Sequence, residues 1–398
     1  MKNPTRIKIY NGKAILSDRI ISNTSVLISN GKIEAIKEGE IESADALSID
    51  AKGQYISPGF IDIHVHGGGG HDFMDGTVEA FLAVAETHAK YGTTALLPTT
   101  LTSEKEGLLL TLEAYQAANK INVNGASFIG MHLEGPYFAM NQRGAQDPKY
   151  IRNPDPLEYK EILENHNFIK RWSAAPELPG AIAFGKYVTS KGVLAAIAHT
   201  DAVYDDVIEA FDNGYTLATH FYSGMSGVTR RNAYRFAGVV ESAYLLDEMD
   251  VEIIADGVHL PAPLLKLIYK IKGTEHTALI TDAMRAAGMP EGESILGHKE
   301  HGLRVLVEDG VAKLTDRTAF AGSVATADRL VRTMIQLAGV PLIETIRMIS
   351  EIPARIMNIQ NQKGSLAIGK DADLLIFNEN IDIQLTMVNG RIIYQNEQ

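Results

Sequence analysis

The residues best suited to chemistry begin with two histidines one position apart. The stretch Ser57-Pro58-Gly59-Phe60-Ile61-Asp62-Ile63-His64-Val65-His66-Gly67-Gly68-Gly69-Gly70 reads as a short apolar strand that stops in glycines. Side chains alternate along a strand, which puts Asp62, His64 and His66 on one face and Ile61, Ile63 and Val65 on the other. Polar groups on a buried strand must be hydrogen-bonded or hold a metal, because an unsatisfied one costs kilocalories. The pattern points to His64 and His66 as metal ligands; a pair of hydrogen-bonded core histidines is the alternative.

Further along, nearly every strand-like run closes on an ionisable residue: Glu134, His199, His220, Asp256 with His259 shortly after, and Asp282. A catalytic divalent site needs three His or carboxylate ligands and one open position, and Glu134, His199 and His220 make such a set. His64 and His66 are expected to hold a second ion with Glu134 as the bridge. Asp282 is the expected general base, able to take a proton from an attacking water and pass it to a leaving amine. Its alternative roles are a further ligand or a helix N-cap before Ala283.

These side chains need a scaffold that brings strand ends together. The runs Ala95–Thr99, Ser127–Glu134, Val193–His199, Leu217–His220, Val251–Asp256 and Ala278–Asp282 alternate with helical patterns such as Val78–Tyr91 and Leu330–Leu337. Strands alternating with helices predict parallel βαβ units, and the length suits a (β/α)8 TIM-like barrel, with a doubly wound open sheet as the alternative. In a barrel the C-terminal strand ends converge on one mouth, whereas an open sheet spreads them along a line. The clustering of ionisable ends therefore favours the barrel. Residues 58–363 are assigned to it. Residues 1–57 and 364–398 read instead as short strands with Asn-Gly turns at Asn11-Gly12, Asn30-Gly31 and Asn389-Gly390, and are expected to pair as one discontinuous β-sandwich.

Composition narrows the chemistry further. The 398 residues include no cysteine, so thiolate nucleophiles, disulfides and cysteine-zinc sites are excluded and any metal must rest on His, Asp or Glu. The formal charge of −12 argues against nucleic acid or an anionic membrane as partner. Met1–Ile7 has no apolar leader pattern, and no apolar run approaches the roughly 18 residues of a spanning helix, so a soluble cytoplasmic protein is expected.

Taken together, His132-Leu133-Glu134-Gly135-Pro136-Tyr137, Ala198-His199-Thr200-Asp201-Ala202, Ala218-Thr219-His220-Phe221-Tyr222, Ile254-Ala255-Asp256-Gly257-Val258-His259, Ile280-Thr281-Asp282-Ala283-Met284 and Phe320-Ala321-Gly322-Ser323 resemble the N-acetylglucosamine-6-phosphate deacetylase family of the amidohydrolase superfamily. The resemblance is collinear from about Pro58 to Ile368. It implies metal-dependent release of acetate from an amino-sugar phosphate by a homodimer. It matches Glu134, His199 and His220 to the principal metal ligands, Asp282 to the catalytic acid/base, and His64 and His66 to the ligands of members that hold two ions. It matches His259 to a substrate-binding histidine, and places Ala145, Gln146, Ser223, Gly224, Asp256, Phe320, Ala321 and Gly322 along the sugar-phosphate pocket. The donors suit zinc, iron, manganese or cobalt, with zinc the leading expectation at one or two ions per chain.

The chain also departs from the family pattern. Gln146 stands where the family commonly has His, and Ser223 where it has Asn. The family's phosphate-binding arginine, supplied by the neighbouring subunit, falls in a loop that is longer here and corresponds to Arg231 or Arg235; Arg230 beside them reads as a solvated charge. These changes touch the sugar and the phosphate rather than the hydrolytic residues. An N-acetylgalactosamine-6-phosphate deacetylase, or a hydrolase of N-acyl amino acids or cyclic amides, is the alternative within the superfamily. A non-catalytic scaffold on a retired barrel is the alternative from a different functional class, disfavoured because a retired site has no reason to keep costly buried charges.

Overall fold

The structure, a computed structural model, describes residues 6–396. Met1–Thr5, read above for a leader, and Glu397–Gln398, at the end of the second β-segment, lie outside the described residues. Eight parallel strands carry the centre of the chain: β1 (Phe60–Val65), β2 (Thr93–Pro98), β3 (Met131–Glu134), β4 (Ile169–Ala174), β5 (Leu194–Ile197), β6 (Tyr215–Ala218), β7 (Asp250–Ile253) and β8 (Thr277–Leu279). β3 to β8 pair in chain order as one six-stranded parallel sheet, and β1 pairs with β2. The sheet curls. Just past β2, Thr99 bridges His132 of β3 in parallel register. Just past β8, the Asp282 amide donates to the His64 carbonyl at 2.9 Å, and the His66 amide to the Ala283 carbonyl at 2.9 Å.

Helices separate the strands: Val78–Ala89 after β1, Lys105–Ile121 after β2, Pro156–Asn165 after β3, Ala181–Ser190 after β4, Tyr204–Asp212 after β5, Val239–Leu245 after β6 and Ala262–Lys272 after β7. Covering helices leave the strands buried on both faces, which is why they read as near-continuous apolar runs. The run predicted over Leu330–Leu337 is an α-helix at Ala327–Thr333 that widens into a π-helical turn at Met334–Ala338. The run predicted over Ser127–Glu134 is broken. Ser127–Phe128 pairs with β2, and β3 starts only after Gly130, whose φ of +126° breaks the extended path.

The two chain ends come together in one hydrogen-bonded sheet. Its order is Arg391–Gln395, Ile383–Val388, Leu374–Phe377, Tyr55–Pro58, Arg6–Ile15, Ile20–Ser29, Lys32–Glu38, with Leu47–Asp50 also on Arg6–Ile15. Ile7, Ile9, Val26, Ile28, Leu374, Ile376 and Met387 supply its core. Asn30-Gly31 and Asn389-Gly390 make hairpin turns with positive φ at both residues, as the pattern predicts. Asn11-Gly12 does not. It is a bulge inside one long strand, where a Cβ on Gly12 would sit 2.4 Å from Ile56 Cδ1 and the Asn11 side chain donates to Asp50 at 2.8 Å.

Two further elements escape the sequence pattern. β4 was hidden because Lys170 and Arg171 interrupt its apolar run. Between β8 and the helix at Ala327, a three-stranded antiparallel sheet (Gly292–Leu296, Leu303–Glu308, Val311–Leu314) carries its own small core of Leu296, Val305, Val307 and Ala312. Its signal was Asp309-Gly310, with φ of 55° and 71°, a hairpin dipeptide flanked by apolar alternation.

Candidate metal centre and active site

The strand ends bring the expected ligands to one place. His64 comes from β1 and His66 from just past its end, Glu134 from the end of β3, and His199, His220 and Asp282 from the turns just past β5, β6 and β8. All are buried, with 0% to 8% of their surface exposed. Glu134 lies at the centre. Its Oε1 stands 3.0 Å from His220 Nε2, 3.4 Å from His199 Nε2 and 3.4 Å from His64 Nε2; its Oε2 stands 3.5 Å from His66 Nε2. A cation bound at roughly 2.0–2.2 Å by nitrogen and oxygen spaces its ligand atoms about 3–3.5 Å apart. The donor set therefore fits a divalent ion in each of two groups, His64, His66 and Glu134, and Glu134, His199 and His220.

Asp282 faces the first pair. Its Oδ1 is 3.1 Å from His66 Nε2 and 3.4 Å from His64 Nε2. Burial pushes its carboxyl up, but His64, His66 and His220 outweigh burial and hold it below the ordinary aspartate value, so it is ionised and able to accept a proton. Glu134 is likewise driven up by burial and brought well below the usual range by His64, His199 and His220. His66 is pulled down by burial, yet its bond to Asp282 and the charge of Glu134 carry it up to about 9. Burial lowers His64, against the pull of Glu134 and Asp282.

Backbone geometry aims several of these groups. His199, His220 and Asp282 adopt left-handed φ of 46°, 32° and 47°, a conformation that non-glycine residues rarely take and that clusters at functional sites. Gly322 supports Asp282 from the next loop: Ser323 donates to the Asp282 carbonyl at 2.8 Å, and a Cβ on Gly322 would lie 3.1 Å from that oxygen. Gly224 leaves room for His199, whose Nδ1 would sit 2.8 Å from an added Cβ.

A profile of the amidohydrolase family matches residues 55–393. The chain belongs to the amidohydrolase family. It is 34% identical over 374 residues to an N-acetylglucosamine-6-phosphate deacetylase of Lysinibacillus sphaericus, covering 93% of each chain. It is 30% identical over 361 residues to an N-acetylgalactosamine-6-phosphate deacetylase of Escherichia coli O157:H7, covering 90% of this chain and 93% of that one. The solved N-acetylglucosamine-6-phosphate deacetylase of Pasteurella multocida superposes with a TM-score of 0.91 at 28% identity, covering 98% of this chain and 100% of that one.

Within this amidohydrolase the expected substrate contacts divide into three groups. Asp256, His259 and Phe320 meet: Asp256 Oδ2 pairs with His259 Nδ1 at 2.8 Å, its Oδ1 accepts the Val258 and His259 amides, and the His259 ring packs 4.7 Å from Phe320. Asp256 therefore spends its carboxylate on aiming His259. Ser223, Gly224 and Ala321 act here through their backbones. The Ser223 carbonyl faces His220 Nδ1 at 3.0 Å, the Gly224 carbonyl accepts the Thr200 amide at 3.0 Å, and the Ala321 amide donates to Ala312 at 2.9 Å. Ala145 packs against the core of the inserted sheet. Arg231 and Arg235 form the third group, on an exposed hairpin of Thr229–Arg231 and Tyr234–Phe236 where Arg230 pairs with Arg235. Among the described residues, no hydrogen bond or ion pair joins either arginine to the ligand cluster; Arg231 lies over the Phe236 ring at 5.4 Å.

Two polar side chains near the cluster have contacts that the sequence does not show. Gln146 turns its side chain to Glu134, donating to Oε2 at 2.8 Å while its own oxygen accepts the Thr102 amide at 2.8 Å. Both ends of the amide are thus spent on the Glu134 carboxylate and its surroundings. Asp62 does not join His64 and His66. It accepts from the Thr281 hydroxyl and from the Thr281 and His64 amides. Sequence reasoning also passed over Arg171 and Glu252, both fully buried in the strands below the cluster. The signal was present: a glutamate in the centre of Val251-Glu252-Ile253 has no cheap place in a buried strand without a cationic partner.

Proposed function

We propose that this amidohydrolase hydrolyses N-acetyl-D-glucosamine 6-phosphate to D-glucosamine 6-phosphate and acetate, on a closed (β/α)8 barrel. The observation that carries the chemistry is one carboxylate, Glu134, facing two histidine pairs with Asp282 beside them. A divalent ion held by these residues, zinc foremost and one or two per chain, supplies the positive charge that polarises an amide carbonyl and acidifies water. Asp282 Oδ1 accepts the proton of the attacking water as its oxygen bonds the acetamide carbon. It returns that proton to the nitrogen as the C–N bond breaks, leaving acetate and a free amine. His259, aimed by Asp256, lies on the side expected to hold the sugar. Closure of the barrel is supported by the amide-to-carbonyl bonds between β1 and the end of β8.

The sugar and phosphate rest on the relatives' activities rather than on a contact within this chain. Arg231 or Arg235 is proposed to reach the phosphate across a homodimer interface, which accords with their exposure on a projecting hairpin. The barrel at 58–363 and the composite sheet of 1–57 and 364–398 are proposed as the two domains, in a cytoplasmic enzyme. No helix among the described residues is long and apolar enough to cross a membrane. A second reading, N-acetylgalactosamine 6-phosphate as substrate, is favoured by the Escherichia coli relative, which is 30% identical to this chain.

Acetate release from both hexosamine phosphates and from their unphosphorylated forms tests the proposal. We expect the highest kcat/KM for N-acetylglucosamine 6-phosphate, and a raised KM for it in whichever of Arg231→Ala and Arg235→Ala removes the phosphate ligand. A preference for the galactosamine compound selects the second reading, and equal kcat/KM with and without phosphate overturns both.

A further inference from the structure

The four ligand histidines are not oriented alike. A metal-binding imidazole normally donates its other ring N–H to a carbonyl or carboxylate, which fixes the tautomer and the ring plane. His199 Nδ1 is 2.8 Å from the Gln142 carbonyl, His220 Nδ1 is 3.0 Å from that of Ser223, and His66 Nδ1 is 3.2 Å from that of Thr99. His64 Nδ1 is buried and, among the described residues, has no hydrogen-bond partner. The group that faces it is Glu252 Oε2, at 3.9 Å.

Glu252 is itself fixed by Arg171, which binds both of its oxygens, one at 2.7 Å. The same guanidinium donates to the Ile63 carbonyl at 3.0 Å and to the Thr219 hydroxyl at 2.8 Å. Ile63 precedes His64 and Thr219 precedes His220. One buried cation on β4 thus ties together the backbone of β1, the end of β6 and the carboxylate of β7, directly beneath two ligands that belong to different ion groups. A buried ion pair is a poor source of stability compared with apolar packing, so its presence here calls for another role.

We infer that Arg171 and Glu252 are positioning residues of the metal centre: Glu252 accepts the Nδ1–H of His64 when its Nε2 binds an ion, and Arg171 holds Glu252, Ile63 and Thr219 in register. The inference rests on the metal-dependent reading above. The carboxylate makes His64 a more electron-rich ligand than its carbonyl-bound neighbours, so the His64–His66 ion is the one this pair controls.

The test is two-step zinc titration of the metal-stripped full-length protein by equilibrium dialysis, in wild type and Glu252→Gln, with ¹⁵N-histidine NMR of the His64 ring. The variant is expected to bind the His64–His66 ion about 10- to 100-fold more weakly, to keep the Glu134–His199–His220 ion, and to lose the low-field Nδ1–H of His64. Arg171→Met with Glu252→Met removes both buried charges and keeps the test available if the single variant does not fold; the same loss is expected. Either variant, folded, taking up both ions as wild type does overturns the inference, as does a wild type that never loads an ion on His64. Wild type that binds two ions but releases no acetate from any amino-sugar phosphate overturns the proposed function and leaves this inference standing.

Discussion

The two histidine pairs of the site differ in the backbone that carries them. His199 and His220 sit past the ends of β5 and β6, in left-handed backbone, and each ring leans on a carbonyl of a loop. His64 sits on β1 and His66 just past its end, with its ring against the Thr99 carbonyl, and the pairing of Asp282 with the His64 carbonyl and of His66 with Ala283 fixes their backbone. Left-handed non-glycine residues cost about 1–3 kcal/mol each and persist only where surroundings over-determine them. The first pair therefore takes its position from loops such as Gln142 and Ser223–Gly224. The second takes its position from the barrel interior, through Arg171 and Glu252. A change of loop can retune the first pair while leaving the second untouched.

Asp282 lies between these regimes, in a left-handed turn like the first pair but hydrogen-bonded to the strand of the second. Asp282→Asn keeps the shape and removes the proton acceptor. It should lower kcat by about 10²- to 10⁴-fold, the usual size of a general acid–base contribution, while acetate release and elemental analysis together find the metal content unchanged. Near-normal kcat in the metal-replete variant would mean that the proton goes elsewhere.

The pairs themselves can be set against one another. His64→Ala with His66→Ala should remove at most one ion per chain, because Glu134, His199 and His220 remain as a complete set. His199→Ala with His220→Ala should remove the ion on which turnover depends. Loss of all metal from the first double variant, measured by elemental analysis, would reverse the ranking and make the strand pair the primary site.

The cluster of ionisable residues was legible in the sequence because each ends a strand-like run, where an ionisable residue has no place in ordinary packing. The alternation of strands and helices was legible for the same reason of periodicity. What stayed hidden depends on contacts between distant strands. Arg171 and Glu252 are separated by 81 positions and each looks like an interruption until the other is seen. Asp62 shares the predicted face of His64, but its carboxylate is taken up by Thr281 past β8. Asn11-Gly12 carried a hairpin signal that the neighbouring Ile56 converts into a bulge, since no side chain fits beside it.

Gln146 gives the finest probe of the contrast, because it divides the two oxygens of Glu134. Oε1 faces His64, His199 and His220; Oε2 faces His66 and already accepts a hydrogen bond from Gln146. The amide thus holds the carboxylate plane so that Oε1 points at the loop pair. Gln146→Leu keeps the bulk but takes one donor from Oε2 and leaves the Thr102 amide without its acceptor in a buried site, at a cost of about 1–3 kcal/mol. The expected result is a less stable protein by thermal denaturation, with both ions still bound and KM little changed, since the side chain is spent on Glu134 rather than on the sugar. A raised KM at unaltered stability would instead put Gln146 in contact with substrate, and Glu134 would then owe its orientation to the histidines alone.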